Sequence, residues 1–220
     1  MKNFSLEGVV RNDFGKQAAR EMRKAGLIPA VLNGGKMVEL PYEGPLLPGE
    51  KVVPLKDEKR GIIVTEFAVS PEAVRKLVYT PNIYAVDLTI GEKKVKAIMK
   101  DLQFHPVNDN ILHLDFLQVE ENKPIVMEVP VQLEGLAEGV RAGGKLALQL
   151  RKLKVKATYD AIPERLVIDV TPLGLGKTIK VGELNYEGLE LINAKEAVVC
   201  AVKLTRAARG AQAAAAAGKK

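Results

Sequence analysis

Apolar and polar residues alternate through most of the first half of the chain, which is the pattern of half-buried β-strands. The alternation and the β-branched content predict strands over residues 3–10, 30–32, 61–67, 83–90, 93–104 and 111–119. A Gly91-Glu92 turn joins the fourth and fifth of these as a hairpin. Residues 41–59 are rich in proline and glycine, so they are predicted to form an irregular loop or an edge hairpin.

Two segments have the composition of short helices. The run KQAAREMRKAG contains strong helix formers, follows a turn signal that closes on Gly15, and ends at Gly26. The second segment starts at Ser70, where a capping hydroxyl precedes a proline and an acid. The sequence therefore predicts one helix early in the chain and another directly after the strand over residues 61–67.

The first predicted helix is strongly basic on one face. Its cations have three- and four-residue spacing, with Glu21 as the only acid, and they are Lys16, Arg20, Arg23 and Lys24. Arg11 can reach the same side from the preceding turn. Like charges at this spacing repel each other, so the face is mildly unfavourable unless something anionic meets it. Phosphates of a nucleic acid are the natural partner, and a solvated helix face is the commoner alternative.

Polar groups stand side by side near the end of the first half. His113 and Asp115 share the exposed face of the predicted strand 111–119. The chain offers too few metal ligands for a site there, and no serine lies in a nucleophile-like turn. Catalysis is therefore poorly supported. His113 is either an ordinary strand histidine or a donor to the RNA backbone or base edges, and Asp115 would then accept from a base amino group or orient a basic side chain. On the preceding strand, regular pairing would place three lysines on one side: Lys94, Lys96 and Lys100.

A polar break at residues 120–123 predicts a boundary between two domains, residues 1–119 and 124–205. The second half is expected to be all-β, with a short helical turn at residues 181–184 and strands over residues 125–133, 146–148, 153–158, 165–170 and 198–204. Residues 174–178, GLGKT, end like a phosphate-binding loop but lack its first glycine, so a β-turn is predicted. The basic, alanine-rich tail, residues 206–220, is predicted to be disordered.

Composition narrows the class of partner. A net charge of +6 and a pI of about 9.3 favour an anionic partner, while the absence of tryptophan argues against a surface that stacks single-stranded bases. Cys200, the single cysteine, is interpreted as a small buried hydrophobe. No signal-peptide pattern and no membrane-spanning apolar run are recognised, so a cytosolic protein without a membrane partner is expected.

Two stretches of the first half together resemble one known family. Residues 11–36, RNDFGKQAAREMRKAGLIPAVLNGGK, and residues 96–116, KAIMKDLQFHPVNDNILHLDF, resemble the opening and the close of an RNA-binding domain. That domain belongs to the bacterial large-subunit ribosomal protein family that binds 5S rRNA, protein twenty-five of that subunit. The segment from KPIVMEVPVQLEGLAEGVRAGGKL through LGLGKTIKVGEL is similar to the extra C-terminal domain of its long form, the general stress protein CTC.

The resemblance implies a mainly β fold with few helices (α+β), in which a small N-terminal β-barrel with helices precedes a C-terminal all-β domain. It implies a non-catalytic protein, without cofactor, metal or small-molecule substrate, that docks on an irregular internal loop of 5S rRNA within the cytoplasmic ribosome. Neighbouring ribosomal proteins or rRNA would contact the second domain. The implied RNA-binding residues are Arg11, Lys16, Arg20, Arg23, Asn33, Lys100, Gln103, His113 and Asp115.

This sequence departs from the family pattern at three places. Asn33 stands where a tyrosine is expected before the double glycine, and asparagine can hydrogen-bond but cannot stack. Ala19 takes the position of a helix serine, and residues 41–59 look like an insertion relative to the short members. Two other functions stay open: a stress-linked accessory protein that binds ribosomes conditionally, and an enzyme or ligand-binding β-domain with a pocket in the second half.

Overall fold

Strands dominate both halves of the chain, as the alternating pattern predicts. The computed structural model describes residues 2–55, 59–120, 123–206 and 208. The chain divides into two compact units, Met1–Lys123 and Pro124–Lys220. The first unit contains a β-barrel with helices and the second is built of short strands, which confirms the predicted mainly β fold.

The described elements of the first unit are β1 (Lys2–Val10), α1 (Lys16–Lys24), β2 (Ile28–Asn33), β3 (Met37–Glu39), β4 (Glu50–Pro54), β5 (Arg60–Val69), α2 (Pro71–Val78), β6 (Tyr84–Ile90), β7 (Lys93–Phe104) and β8 (Ile111–Gln118). Those of the second unit are β9 (Ile125–Glu134), α3 (Glu138–Arg141), β10 (Lys145–Leu148), β11 (Lys152–Ala157), β12 (Leu166–Asp169), β13 (Thr178–Lys180), β14 (Glu190–Leu191) and β15 (Val198–Lys203). Short 3₁₀ turns occupy Tyr159–Ala161 and Val181–Glu183, the second where a helical turn is predicted.

Six strands close the barrel in the order β1-β6-β7-β8-β2-β5, and β5 pairs back onto β1. Two of the pairings are parallel, β1 with β6 and β2 with β8. In the second of these, Ala30 lies opposite Leu114. A strand from the start of the chain and the last strand of the unit are therefore direct neighbours, and the two stretches that resemble the RNA-binding family meet in space.

The barrel interior is filled by the apolar residues of the alternating strands. Phe67 and Phe116 are fully buried, and their ring centroids are 5.8 Å apart. Helix α2 adds Val74 and Leu77 to the same core. Its start is the predicted one, since the hydroxyl of Ser70 accepts a hydrogen bond from the Ala73 N–H (3.3 Å). Burying a side chain of this size contributes about 1.5–3 kcal/mol, so the interior is the main source of stability.

Two segments of the first unit differ in detail from the sequence pattern. Strand β2 starts at Ile28 and includes Pro29, two residues before the predicted strand. The pairing with β8 begins only at Ala30, so the proline lies ahead of that ladder. Within residues 41–59 the edge hairpin is the correct alternative, because β4 pairs antiparallel with β5.

The second unit contains two small sheets, β10-β15-β13 and β12-β9-β11-β14. Cys200 and Val202 of β15 pack with Val170 and Leu173 in an apolar cluster. Cys200 is fully buried, which confirms its interpretation as a buried hydrophobe, and this burial raises the pKa of its thiol. The predicted turn in residues 174–178 is also confirmed, with the Lys177 N–H donating to the Gly174 carbonyl. The predicted disorder of the tail falls outside the described residues, apart from Arg206 and Ala208.

Candidate nucleic-acid interface

Helix α1 forms where predicted, and none of its residues is fully buried. It starts after Gly15, whose φ of 104° favours glycine, and it has neither a side-chain cap nor an acid in its first turn. Lys16, a cation, instead occupies the first position. A cation at the positive end of the helix dipole is unfavourable, so this end favours the approach of an anion.

The cations along helix α1 are exposed to solvent. Among the residues that the structure describes, Lys16, Arg20 and Lys24 have no carboxylate within ion-pair distance. These three side chains therefore keep their charge available for an external partner.

Arg23, at the C-terminal end of the same helix, also makes contacts within the chain. Its Nε and Nη2 atoms both donate to the carbonyl oxygen of Leu112, each at 3.1 Å. Leu112 directly precedes His113 on β8. Arg23 therefore fixes helix α1 beside the strand that carries the predicted histidine and carboxylate.

Arg11 is the member of the predicted set that the geometry supports least as a phosphate contact. Its side chain is 8% exposed, and its Nη1 atom lies 3.1 Å from Oε2 of Glu66. Its Nε atom donates to the Asp13 carbonyl at 2.7 Å. Both ends of the guanidinium are thus occupied within the chain, and Arg11 fixes the turn that leads into helix α1.

His113 and Asp115 lie within ion-pair distance of each other on the outer face of β8. Nδ1 of His113 lies 3.1 Å from Oδ1 of Asp115, and the two side chains are 25% and 28% exposed. Because Nδ1 faces the carboxylate, Nε2 is the ring nitrogen left for a partner. It accepts a hydrogen bond in the neutral ring and donates one in the imidazolium.

Strand β7 adds polar neighbours to this pair. Gln103 is exposed and lies directly opposite His113 in the ladder. The pairing shifts register between Met99 and Asp101, which shows a bulge at Lys100. Regular pairing, the condition under which the three lysines would share one side, is therefore interrupted at Lys100, and this lysine is exposed.

Asp101 is a polar neighbour that the sequence reasoning missed. The bulge places it directly opposite Asp115, and its Oδ1 atom accepts from the Leu102 N–H at 2.8 Å. Like charges directly opposite each other are destabilising, so this position favours a hydrogen-bond donor between the two carboxylates. A shift of register depends on the partner strand and leaves no signal in the local sequence.

Asn33 lies at the end of β2 on the same side of the sheet as the pair on β8. It is half-buried and pairs with Leu117, while Val31 pairs with Asp115. Gly34 follows with a φ of 91°, and a Cβ there would lie 3.2–3.3 Å from Leu117 and the backbone of the next residue. The close approach of these strands therefore requires glycine directly after Asn33.

A groove of about 820 Å³ lies beside Arg23, between the end of α1, helix α2 and the segment before β8. Arg23 and Arg75 line it together with Glu72 and Asp109. His105 also lines it, but its Nδ1 atom accepts from the backbone N–H groups of residues 107 and 108 and so stabilises a turn. Because the acids balance the arginines, the groove adds little net attraction for a phosphate.

The second unit offers a smaller groove of about 360 Å³. Its polar groups already have partners, since the Tyr186 hydroxyl donates to the Val167 carbonyl (2.9 Å). The hydroxyl and the N–H of Thr171 lower the pKa of the Asp169 carboxyl.

Across the described part of the chain, no three His, Cys, Asp or Glu side chains are grouped to hold a metal ion. None of the described helices is long and apolar enough to cross a membrane.

Comparisons with known proteins agree with this arrangement of the two units. The model of the Ribosomal L25p family matches residues 6–44 and 57–116, and the model of the ribosomal protein TL5 C-terminal domain matches residues 124–206. The large ribosomal subunit protein bL25 of Phocaeicola vulgatus is 64% identical over 219 residues, covering 100% of both chains. That of Bacteroides fragilis is 64% identical with the same coverage. That of Porphyromonas gingivalis is 58% identical over 96% of this chain and 97% of the relative.

These matches confirm the resemblance seen in the two first-unit stretches and in the second half. They also agree with the insertion predicted within residues 41–59, because residues 45–56 fall outside the family match. The family consists of structural ribosomal proteins rather than enzymes, as predicted. The chain belongs to the Ribosomal L25p family, in a two-domain form that carries a TL5 C-terminal domain.

Proposed function

We propose that this protein is a structural component of the large ribosomal subunit in the bacterial cytoplasm and that its first unit binds 5S rRNA. The relatives named as large-subunit proteins support the first part. The second part depends on the interface between helix α1 and strand β8. Rigid recognition of an RNA shape, rather than catalysis, is the mechanism.

The observation that carries the proposal is the double hydrogen bond from Arg23 to the Leu112 carbonyl. It holds a helix with unpaired cations next to the His113–Asp115 pair. The cations of α1 alone would bind any RNA. The His113–Asp115 pair alone would bind RNA too weakly to fix its position on the protein. Held together, they combine phosphate attraction with groups that discriminate among base edges.

The roles divide by chemistry. Lys16, Arg20 and Lys24 would contact phosphates, which fixes position and register without reading sequence. Asp115 would accept from a base amino group, with His113 and Gln103 beside it in the minor groove. Asn33 and Lys100 would contact the edges of the same surface. Arg11 would act indirectly, by fixing the turn before helix α1 through Glu66.

The test is binding of the full chain to 5S rRNA, titrated against salt, with tRNA as the unrelated RNA. Arg20→Ala should weaken binding to both RNAs and lower the slope of log Kd against log salt concentration by about one. Asp115→Ala should weaken binding to 5S rRNA while leaving tRNA binding and the slope nearly unchanged. Asp115→Asn is the matched control, because it keeps the shape of the side chain and one acceptor oxygen.

Either of two results would contradict the proposal. Equal affinity of the unmodified chain for 5S rRNA and tRNA would mean that no cognate loop is recognised. An equal loss for both RNAs in Asp115→Ala would remove the discriminating role from the carboxylate. Occupancy of ribosomes in unstressed and stressed cells would separate a constitutive component from a conditional accessory protein.

A further inference from the structure

Strand β4 belongs to a segment that is not part of the family match. The match stops at residue 44 and resumes at residue 57. Strand β4 nevertheless pairs with β5 along its whole length, from Glu50 opposite Thr65 to Pro54 opposite Gly61. The inserted strand is therefore an integral part of the first unit, and its exposed side chains add to the surface of that unit.

Contacts at the start of β4 fix its position against the barrel. The Gly49 carbonyl accepts from the Glu66 N–H at 2.7 Å. Gly49 has a φ of 82°, and a Cβ there would lie 2.9 Å from the Glu66 carbonyl oxygen, so a larger residue would not fit. The next residue, Glu50, accepts a hydrogen bond from Nζ of Lys93 at 2.9 Å. These contacts fix the backbone directly before Lys51 and therefore the position of its Cα atom.

Lys51 reaches the turn in front of helix α1. Its Nζ atom lies 6.0 Å from the centroid of the Phe14 ring, which is within the range of a cation–π contact. Phe14 is 43% exposed and lies two residues before Lys16. Within the described residues, Lys51 has no carboxylate within ion-pair distance. An unpaired cation from the inserted strand thus lies near the start of helix α1.

We propose that Lys51 is a further RNA-contact residue, which binds a phosphate of the same rRNA duplex next to the phosphates bound by helix α1. This inference rests on the proposed function. The contact with the Phe14 ring holds the Lys51 ammonium group between strand β4 and the turn before helix α1. The ammonium group is therefore partly positioned before RNA binds. Its charge adds one phosphate contact to those of Lys16, Arg20 and Lys24.

A protein partner is the competing occupant of this surface. Leu46 and Leu47, in the loop before β4, are 44% and 60% exposed, and they would suit an apolar contact. The unpaired charge of Lys51 and its continuity with the cations of α1 favour RNA. The two occupants differ in a measurable way, because only RNA binding makes Lys51 contribute to the salt dependence of binding to isolated 5S rRNA.

The first experiment measures binding of the full chain to 5S rRNA at several salt concentrations, for Lys51→Ala, Val53→Ala and Arg20→Ala. Val53 is the matched control, because it is exposed on the same side of the same inserted strand. Lys51→Ala should lower the salt slope by about one and weaken binding on the order of fivefold at low salt. Val53→Ala should change neither quantity.

The outcomes separate this inference from the function on which it rests. If Arg20→Ala lowers the slope and Lys51→Ala behaves like Val53→Ala, then the role of Lys51 is overturned and the proposed function stands. If neither Arg20→Ala nor Lys51→Ala lowers the slope, then the proposed function fails and this inference fails with it.

A second experiment locates residue 51 relative to the 5S rRNA backbone. An iron chelate attached at Lys51→Cys should cleave the 5S rRNA backbone next to the nucleotides that are cleaved from Lys16→Cys. Cys200 is fully buried, so the unmodified chain is a suitable background for labelling. Cleavage from position 16 without any cleavage from position 51 would overturn the proposed contact.

Discussion

Helix α1 of the first unit and strand β11 of the second both expose several cations, but their surroundings differ. On β11, Lys154 lies opposite Glu128 of β9, and Nζ of Lys156 lies 2.9 Å from Glu190 of β14. The free cations of α1 have no such partners among the described residues. The fold therefore leaves the cations of α1 unpaired, whereas acids of neighbouring strands lie opposite Lys154 and Lys156 of β11.

Helix α1 and strand β11 also differ in how far the local sequence determines their charge balance. The neighbours of a helix cation lie three and four residues away, so the excess of charge on α1 is visible in the sequence. The neighbours of a strand cation come from other strands, and those of Lys154 and Lys156 are distant in the chain. The charge balance of β11 is therefore set by strand pairing.

The largest expected effect contrasts a paired arginine with a free one inside the first unit. Arg11→Ala should lower the free energy of unfolding by about 3 kcal/mol, because it leaves Glu66, whose side chain is only 16% exposed, without its partner. Arg20→Ala should change it by less than about 0.5 kcal/mol, as expected for an exposed side chain. Urea denaturation of both variants measures the difference, and equal stabilities would place Arg11 with the free cations.

The next prediction compares RNA binding by variants of helix α1 and of strand β11. The double variant Arg20→Ala with Lys24→Ala should lower the salt slope of 5S rRNA binding by about two. The matched double variant Lys154→Ala with Lys156→Ala, on β11, should leave the slope unchanged, because both lysines lie opposite acids of neighbouring strands. A comparable loss in both would mean that the cross-strand acids do not shield the strand lysines from RNA.

A smaller effect should follow from removing the acids of the second unit. Glu128→Gln with Glu190→Gln leaves Lys154 and Lys156 without carboxylates opposite them. Binding to tRNA at low salt should then strengthen about twofold, since each surface charge contributes little by itself. Unaltered tRNA affinity, with the fold confirmed by circular dichroism, would show that pairing is not what keeps β11 from binding RNA.

The last prediction concerns the folding stability that a paired charge in the first unit contributes. Burial raises the pKa of the Glu50 carboxyl, but the hydrogen bonds from Lys93 and the Leu47 N–H outweigh it, and the net pKa lies below the usual value of 4.5. The stabilisation is therefore complete above the unfolded pKa and is lost as the pH falls through the lowered folded value. Glu50→Gln should cost about 1 kcal/mol at pH 7, and the cost should shrink as the pH falls through the lowered folded pKa, measured by urea denaturation.

Sequence patterns predicted the features that depend on near neighbours. Helix α1, the cap at Ser70 and the burial of Cys200 follow from local spacing and composition, and the structure has all three. The bulge at Lys100 and the ion pair of Arg11 with Glu66 depend on which strands meet. No residue near Lys100 or Arg11 in the sequence indicates which residue it meets. These features of the candidate site could therefore be identified only from the three-dimensional structure.

The parallel pairing of β2 with β8 has a consequence for the order of events during synthesis. The ribosome releases helix α1 early, whereas Leu112, His113 and Asp115 belong to the last strand of the unit. Such distant pairing forms late in folding. A nascent chain therefore carries its basic helix without the strand that we propose to discriminate among RNAs, although it emerges beside abundant rRNA. Under the proposed function, selective binding becomes available only to a chain whose first unit has been released completely and has folded.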